Sequence, residues 1–149
     1  TNAHLTRGCR VTLRLPADRS FLYRLDPVLF GMLFMNLLTN AIKYNRTESP
    51  EIGVELAARR GRLLLSVADN GIGIAPRDLK RIFKKFYQVG DSDDMTARGS
   101  GIGLYMAQSI ARVHGGRLTA KSDGPGRGSR FTLSLPDRYA MPAAKGESQ

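Results

Sequence analysis

The chain has 149 residues and a net charge of +10, from 23 Lys and Arg against 13 Asp and Glu. That length fits one domain burying roughly two thirds of its unfolded surface, and 42% hydrophobic with 24% charged residues is ordinary for a globular fold. The charge excess points to polyanionic company: a nucleotide, nucleic acid, an acidic protein or an anionic membrane surface. No aromatic residues interleave a basic cluster, and zinc-finger and RNA-binding signatures are absent, so nucleic acid is not expected as a partner. The single Cys9 rules out an internal disulfide and fits a reducing compartment. There is no signal peptide and no apolar run near 18 residues. The first residue is Thr1, which reads as a piece of a longer protein.

Residues 1–9 read as a frayed N-terminal remnant. Arg10–Leu15 and Phe21–Leu25 alternate as strands, separated by a turn at Pro16–Arg19. A helix follows Asp26, opens with Pro27 and ends near Tyr44, and Asn45–Pro50 is a loop. Glu51–Ala58 and Arg62–Ala68 read as a hairpin turning at Arg59–Gly61. After the glycine-punctuated Asp69–Ile74, Pro76–Tyr87 has the spacing of a short amphipathic helix, with Leu79, Ile82, Phe83 and Phe86 on one side. Val89–Gly103 is polar, glycine-rich and aperiodic, which predicts a mobile loop. Ile102–His114 is an apolar-faced helix stopped by Gly115 and Gly116. Leu118–Ser122 and Ser129–Pro136 form a last hairpin across Asp123–Gly128, and 137–149 reads as a disordered tail. This order predicts an α+β fold, a two-layer α/β sandwich with a mixed sheet and about three helices on one face, spanning residues 10–136.

Three segments carry chemistry. On the long helix, Asn36, Asn40 and Lys43 fall within roughly 60° of one another at about 100° per residue. Two amides and an ammonium on an apolar helix are costly to bury unless something polar meets them. Amide oxygens suit a hard cation and the lysine arm suits phosphate, although a solvated stripe would look the same. Asp69-Asn-Gly-Ile-Gly73 follows an apolar strand; its glycines allow close approach of a ligand, and an Asp at a strand end can accept from an exocyclic amine. An ordinary Asn-Gly turn is the alternative. Arg98-Gly-Ser-Gly-Ile-Gly-Leu104 opens a helix, where free N–H groups suit phosphate, or it is a flexible linker.

Taken in order and spacing, these segments resemble the catalytic, ATP-binding domain of sensor histidine kinases. That domain belongs to the Bergerat-fold superfamily, with DNA gyrase B, the heat-shock chaperone of about ninety kilodaltons and MutL. Asn36–Tyr44 looks like the N box, Asp69–Ile74 the G1 box, Ile82–Tyr87 the F box and Gly99–Leu104 the G2 box. Val113–Gly116 and Gly128–Pro136 resemble the family's ending, so the likeness runs from about Arg10 to Pro136.

The resemblance implies ATP and Mg²⁺ as cofactors. Asp69 would accept from the adenine amine, beside Gly71 and Gly73, with Ile74 and Leu104 among the apolar walls. Asn40, helped by Asn36, would hold the Mg²⁺, and Lys43 and Tyr44 would touch the phosphate chain. Val89–Arg98 would be a lid, with Gly99, Ser100, Gly101 and Gly103 at its hinge and phosphate-facing backbone. Arg98 is a candidate lid cation on charge and position.

Asn36 is also placed among the catalytic residues. Hydrolytic and serine-kinase relatives generally carry Glu there as a general base, and an amide cannot take a proton at neutral pH. Transfer to a histidine is therefore favoured over hydrolysis, with a degenerate docking module as a further alternative. The implied partners are the dimerisation domain of the same kinase and a response regulator receiver domain. The implied setting is the cytoplasmic side of a membrane-anchored homodimer at the inner membrane.

Three positions depart from the pattern: Lys84 where an acidic residue is common, Gln88 where a basic one is common, and Ser100 for Thr. A γ-phosphate contact would then move to Arg98 or Lys85. Asp91, Asp93 and Asp94 would repel phosphate and are expected to face solvent. Neither His114, at a helix end, nor His4 reads as a phospho-acceptor.

Overall fold

The computed structural model describes residues 8–15, 25–87 and 102–136. Asp26 has extended backbone, and its Oδ1 accepts from the N–H groups of Val28 and Leu29 at 3.0 and 3.1 Å. Pro27 takes the first helical position, where no N–H is needed. Helix α1 then runs over Pro27–Lys43 and buries Leu33, Leu37 and Ala41, which recur every four residues on one face. Helix α3, Gly103–Val113, buries Ala107, Ile110 and Ala111 and packs on α1.

His114 ties these helices together. Its Nδ1 lies 2.9 Å from the Ile110 carbonyl, and its Nε2 accepts the Asp26 N–H at 3.1 Å. A backbone donor on Nε2 assigns the proton to Nδ1.

The sheet contains β1 (Arg10–Arg14), β2 (Glu51–Arg59), β3 (Arg62–Asp69), β4 (Arg117–Lys121) and β5 (Ser129–Pro136), in the order β1-β2-β3-β5-β4. The β1–β2 pair is parallel and the other three pairs are antiparallel. Register aligns Val54 with Val67 and Val67 with Phe131, and Leu65 with Leu133 and Leu133 with Leu118. Those rows form one apolar face, buried with α1 and α3 in a single core. Complete burial of a side chain such as Leu37 or Leu133 contributes about 1.5–3 kcal/mol. On the other face Ser66 and Thr132 share a hydrogen bond, and no described helix covers it. The architecture is the expected two-layer α+β sandwich.

Helix α2 corrects the sequence reading. Only Pro76–Leu79 is helical, four residues rather than the whole of Pro76–Tyr87. Successive turns follow, and Phe86 has φ of 65°, where a helix cannot continue. The Tyr87 hydroxyl donates to the buried Asp78 carboxylate and folds the segment back on itself. Phe86 thereby leaves the apolar side assigned to it and is exposed. Ile82 stays in the core, and Phe83 meets Phe131 edge to face at 6.3 Å between centroids. Leu25 is not in a strand; the rest of the strand expected at 21–25, the N-terminal residues 1–7, the loop from 89 and the tail lie outside the described residues.

Candidate functional site

Asp69 is the last residue of β3, and alternation along that strand puts its side chain on the helix-covered face, in register with Ile52 and Ser129. Its Oδ1 accepts from the Gly71 N–H and its Oδ2 from the Ser129 hydroxyl, both at 2.8 Å. Burial raises its pKa above the ordinary carboxylate value, against the opposing pull of the Gly71 and Ser129 hydrogen bonds. With the Gly71 N–H and the Ser129 hydroxyl and backbone as donors, the fixed carboxylate still has acceptor capacity for a further donor. Ser129 escaped the sequence reading. It lies 60 residues further along the chain, and only the β3–β5 register brings it to Asp69.

The glycines of the following loop are fixed by close contacts. A Cβ on Gly71 would sit 2.6 Å from the Tyr44 carbonyl oxygen. Gly73 has φ of +72°, and its Cβ would fall 2.1 Å from the Gly124 carbonyl oxygen. Ile72 donates to the Tyr44 carbonyl at 3.1 Å, joining this loop to the end of α1.

The turn between β4 and β5 braces the other side. Gly126 N–H meets the Ile72 carbonyl at 2.7 Å, and Gly128 N–H meets that of Gly71 at 3.1 Å. Ile74 N–H reaches the Ser122 hydroxyl at 3.0 Å. Asn70 completes the brace: its Oδ1 accepts from Asn45 Nδ2 (2.7 Å) and Glu51 N–H (2.9 Å), and its Nδ2 donates to the Ser49 carbonyl (3.1 Å). The sequence assigned no bracing role to Ser122, and Asn70 stood there only as part of the Asp69–Gly73 motif. The glycine run Gly124–Gly128 was the only signal, and it read as a hairpin connection.

At the end of α1, Tyr44 is half-buried, which pushes its hydroxyl pKa up. Lys43 is exposed, and Asn40 is half-buried with no side-chain hydrogen bond among the described residues. Asn36 is engaged differently. Its Nδ2 donates back to the Met32 carbonyl at 3.0 Å, and its Oδ1 stands 2.8 Å from where a Cβ on Gly103 would lie. Glycine at 103 thus lets α3 begin against α1. Ile74 is buried, and Leu104 packs partly buried on the same core. Lys85 Nζ lies over the rings of Phe86 and Tyr105, 5.5 and 5.6 Å from their centroids. Arg98, Gly99, Ser100 and Gly101 lie outside the described residues.

Among the described residues no group of His, Cys, Asp and Glu could hold a metal ion by itself. A hard cation here would take an amide oxygen from Asn40, whose side chain is free to turn, with phosphate oxygens supplying further ligands. That donor set fits Mg²⁺.

A braced strand-end carboxylate thus lies beside two apposed helices of a two-layer sandwich, and comparison with known proteins gives the family. The model of the histidine kinase-, DNA gyrase B- and HSP90-like ATPase family matches residues 25–139. The chain is 37% identical to the sensor protein ChvG of Agrobacterium fabrum over 124 residues, covering 80% of this chain and 21% of ChvG. It is 36% identical to the sensor-like histidine kinase SenX3 of Mycolicibacterium smegmatis, covering 83% of this chain and 32% of SenX3. It therefore spans a third or less of these two relatives. The mycobacterial sensor histidine kinase MprB shares the fold, with a TM-score of 0.76 at 23% identity over 95% of this chain and 91% of that one. Full-length ShkA, solved in complex with AMPPNP, matches with a TM-score of 0.72 at 28% identity over 93% of this chain and 27% of its own. The chain belongs to the histidine kinase-, DNA gyrase B- and HSP90-like ATPase family, on its sensor histidine kinase branch.

Proposed function

We propose that this chain is the catalytic domain of a sensor histidine kinase, which binds Mg-ATP and passes the γ-phosphoryl to a histidine on a separate dimerisation domain. The observation that carries the reading is Asp69: a half-buried carboxylate, immobilised by Gly71 and Ser129, with lone pairs left for an adenine amine. Ile74 and Leu104 contribute apolar walls. Asn40 and the Oδ1 of Asn36 would hold Mg²⁺, which neutralises charge on the transferring phosphate when bound. Lys43, Tyr44 and Arg98 would meet the phosphate chain, beside the backbone of Gly99, Ser100, Gly101 and Gly103.

In the transfer, the bond from the γ-phosphorus to its bridging oxygen breaks, a phosphorus–nitrogen bond forms, and ADP leaves. The imidazole proton passes to solvent. Asn36 cannot accept that proton, and its Nδ2 is bonded to Met32, so its part is to position the metal and α3. The absence of a carboxylate at this position is what favours phosphotransfer over hydrolysis. The acceptor domain, a response regulator partner, a membrane-anchored homodimer and a cytoplasmic site of action follow from likeness to the sensor kinases.

Thermal melting with and without Mg-ATP tests the reading. Ligand at a hundred times its dissociation constant adds about 2.7 kcal/mol, which raises the midpoint of a domain this size by roughly 5–11 °C. No shift at millimolar Mg-ATP would overturn it. Labelled ATP should mark a histidine only when the dimerisation helices are supplied.

A further inference from the structure

The face of the sheet that no described helix covers contains a groove of about 400 Å³, lined by residues of β1, β2, β3 and β5, Asp69 among them, and by Asn70, while the Asp69 side chain lies on the helix-covered side by register. Its floor is the row Thr12, Gly53 and Ala68, aligned across three strands, with Arg130 next in register and Lys121 beyond it. Arg14 and Glu55 form one wall, and Arg10 and Glu51 the other.

Gly53 is the telling residue. It lies inside a nine-residue strand, where glycine loses more backbone entropy than any other residue and packs nothing. Its backbone is not left-handed, and a Cβ built on it would meet nothing within 4 Å. No contact among the described residues therefore requires glycine. Among the described residues nothing occupies the space above it, as at strand glycines where another backbone comes close.

Charge identifies the class of occupant. Arg10 is paired with Glu51 at 3.7 Å, whereas the side chains of Arg14 and Arg130 have no ion pair or hydrogen bond among the described residues. Lys121 and Arg117 on β4 and Arg62 on β3 face the same side, so the face as a whole is basic. We infer that this trough binds an extended acidic segment of a partner protein, its backbone crossing Gly53 and its carboxylates meeting Arg14 and Arg130. A nucleic acid fits less well, because no aromatic residue lines the groove for base stacking. A lipid surface fits less well too, because the exposed apolar residues of β1, Val11 and Leu13, point to the opposite face.

The test is fluorescence anisotropy with a labelled ten-residue peptide of alternating Glu and Gly, run beside anionic vesicles and duplex DNA. Gly53→Leu fills the floor without a clash and should weaken peptide binding about tenfold or more while the melting temperature holds or rises. Arg14→Glu with Arg130→Glu should weaken it by at least as much. Lys80→Glu with Lys84→Glu, the same charge change elsewhere, should alter it about twofold or less at moderate salt. The inference is overturned if the peptide does not bind, if Gly53→Leu binds it as wild type does, or if the control pair weakens it equally. It is also overturned if vesicles or DNA bind more tightly than the peptide with the same dependence on Arg14 and Arg130. Because Asp69 and Asn40 are untouched, a Mg-ATP melting shift should survive in every variant, separating this result from the nucleotide reading.

Discussion

The loop after β3 and the end of α1 touch through the Ile72–Tyr44 hydrogen bond, yet they are built to different degrees. In the loop, Asp69 uses both oxygens, Asn70 makes three side-chain hydrogen bonds, and Gly71 and Gly73 leave no room for a side chain. On α1, Asn40 and Lys43 make no side-chain hydrogen bond or ion pair among the described residues. The difference is one of preorganisation. In the proposed function, a neutral, rigid base would be best met by groups already in place, while a metal–phosphate cluster would bring enough charge to order its own ligands.

Gly73→Ala should produce the largest change, because it meets both a positive φ and the Gly124 carbonyl. A loss of about 3 kcal/mol or more is expected, or roughly 6–12 °C in a circular dichroism melt. A variant that melts like wild type would show that the loop is not rigidly braced.

Asp69→Ala should cost about 1.5–3 kcal/mol of nucleotide binding, a loss of roughly 10- to 150-fold by calorimetry. Asp69→Asn separates function from stability. Burial raises the Asp69 pKa, so the native state binds a proton there more readily than the unfolded chain does. Relative to the Asn variant, wild type should be most stable at low pH and lose stability as pH rises through the raised pKa. A gap between the two melting curves that does not change with pH would refute this account of the site.

His114→Ala, at the far ends of both helices, removes the bonds to Asp26 and Ile110 and should destabilise by about 1 kcal/mol. Nucleotide affinity should hold, and labelled phosphate should not appear on His114, whose ring nitrogens are both occupied. The smallest stability change is expected from Asn40→Ala, within about 0.5 kcal/mol, since no contact is lost. The same variant should abolish the Mg²⁺ dependence of ATP binding; stability lost without that effect would mean that Asn40 is structural.

Local rules went far here. The cap at Asp26, the four-residue spacing of Leu33, Leu37 and Ala41, the alternation in β2, β3 and β5, and the glycine pair after His114 each act over one or two turns or strand residues. Such signals survive in a linear reading. The span of α2 did not survive it. The spacing of Leu79, Ile82, Phe83 and Phe86 fits a helix, but the bond from Tyr87 to Asp78 and the positive φ of Phe86 outweigh that local preference.

By itself the sequence indicated most of the described elements and the two-layer class, because periodicity and backbone restriction are properties of neighbouring residues. Only the tertiary structure decided that β1 joins β2 in parallel, that Ser129 and Ser122 brace the Asp69 loop, that Asn36 lies against Gly103, and that Gly53 opens onto an uncovered trough. Those contacts join residues far apart in the chain. Register and packing of the whole sheet set them, and no stretch of a few residues encodes either.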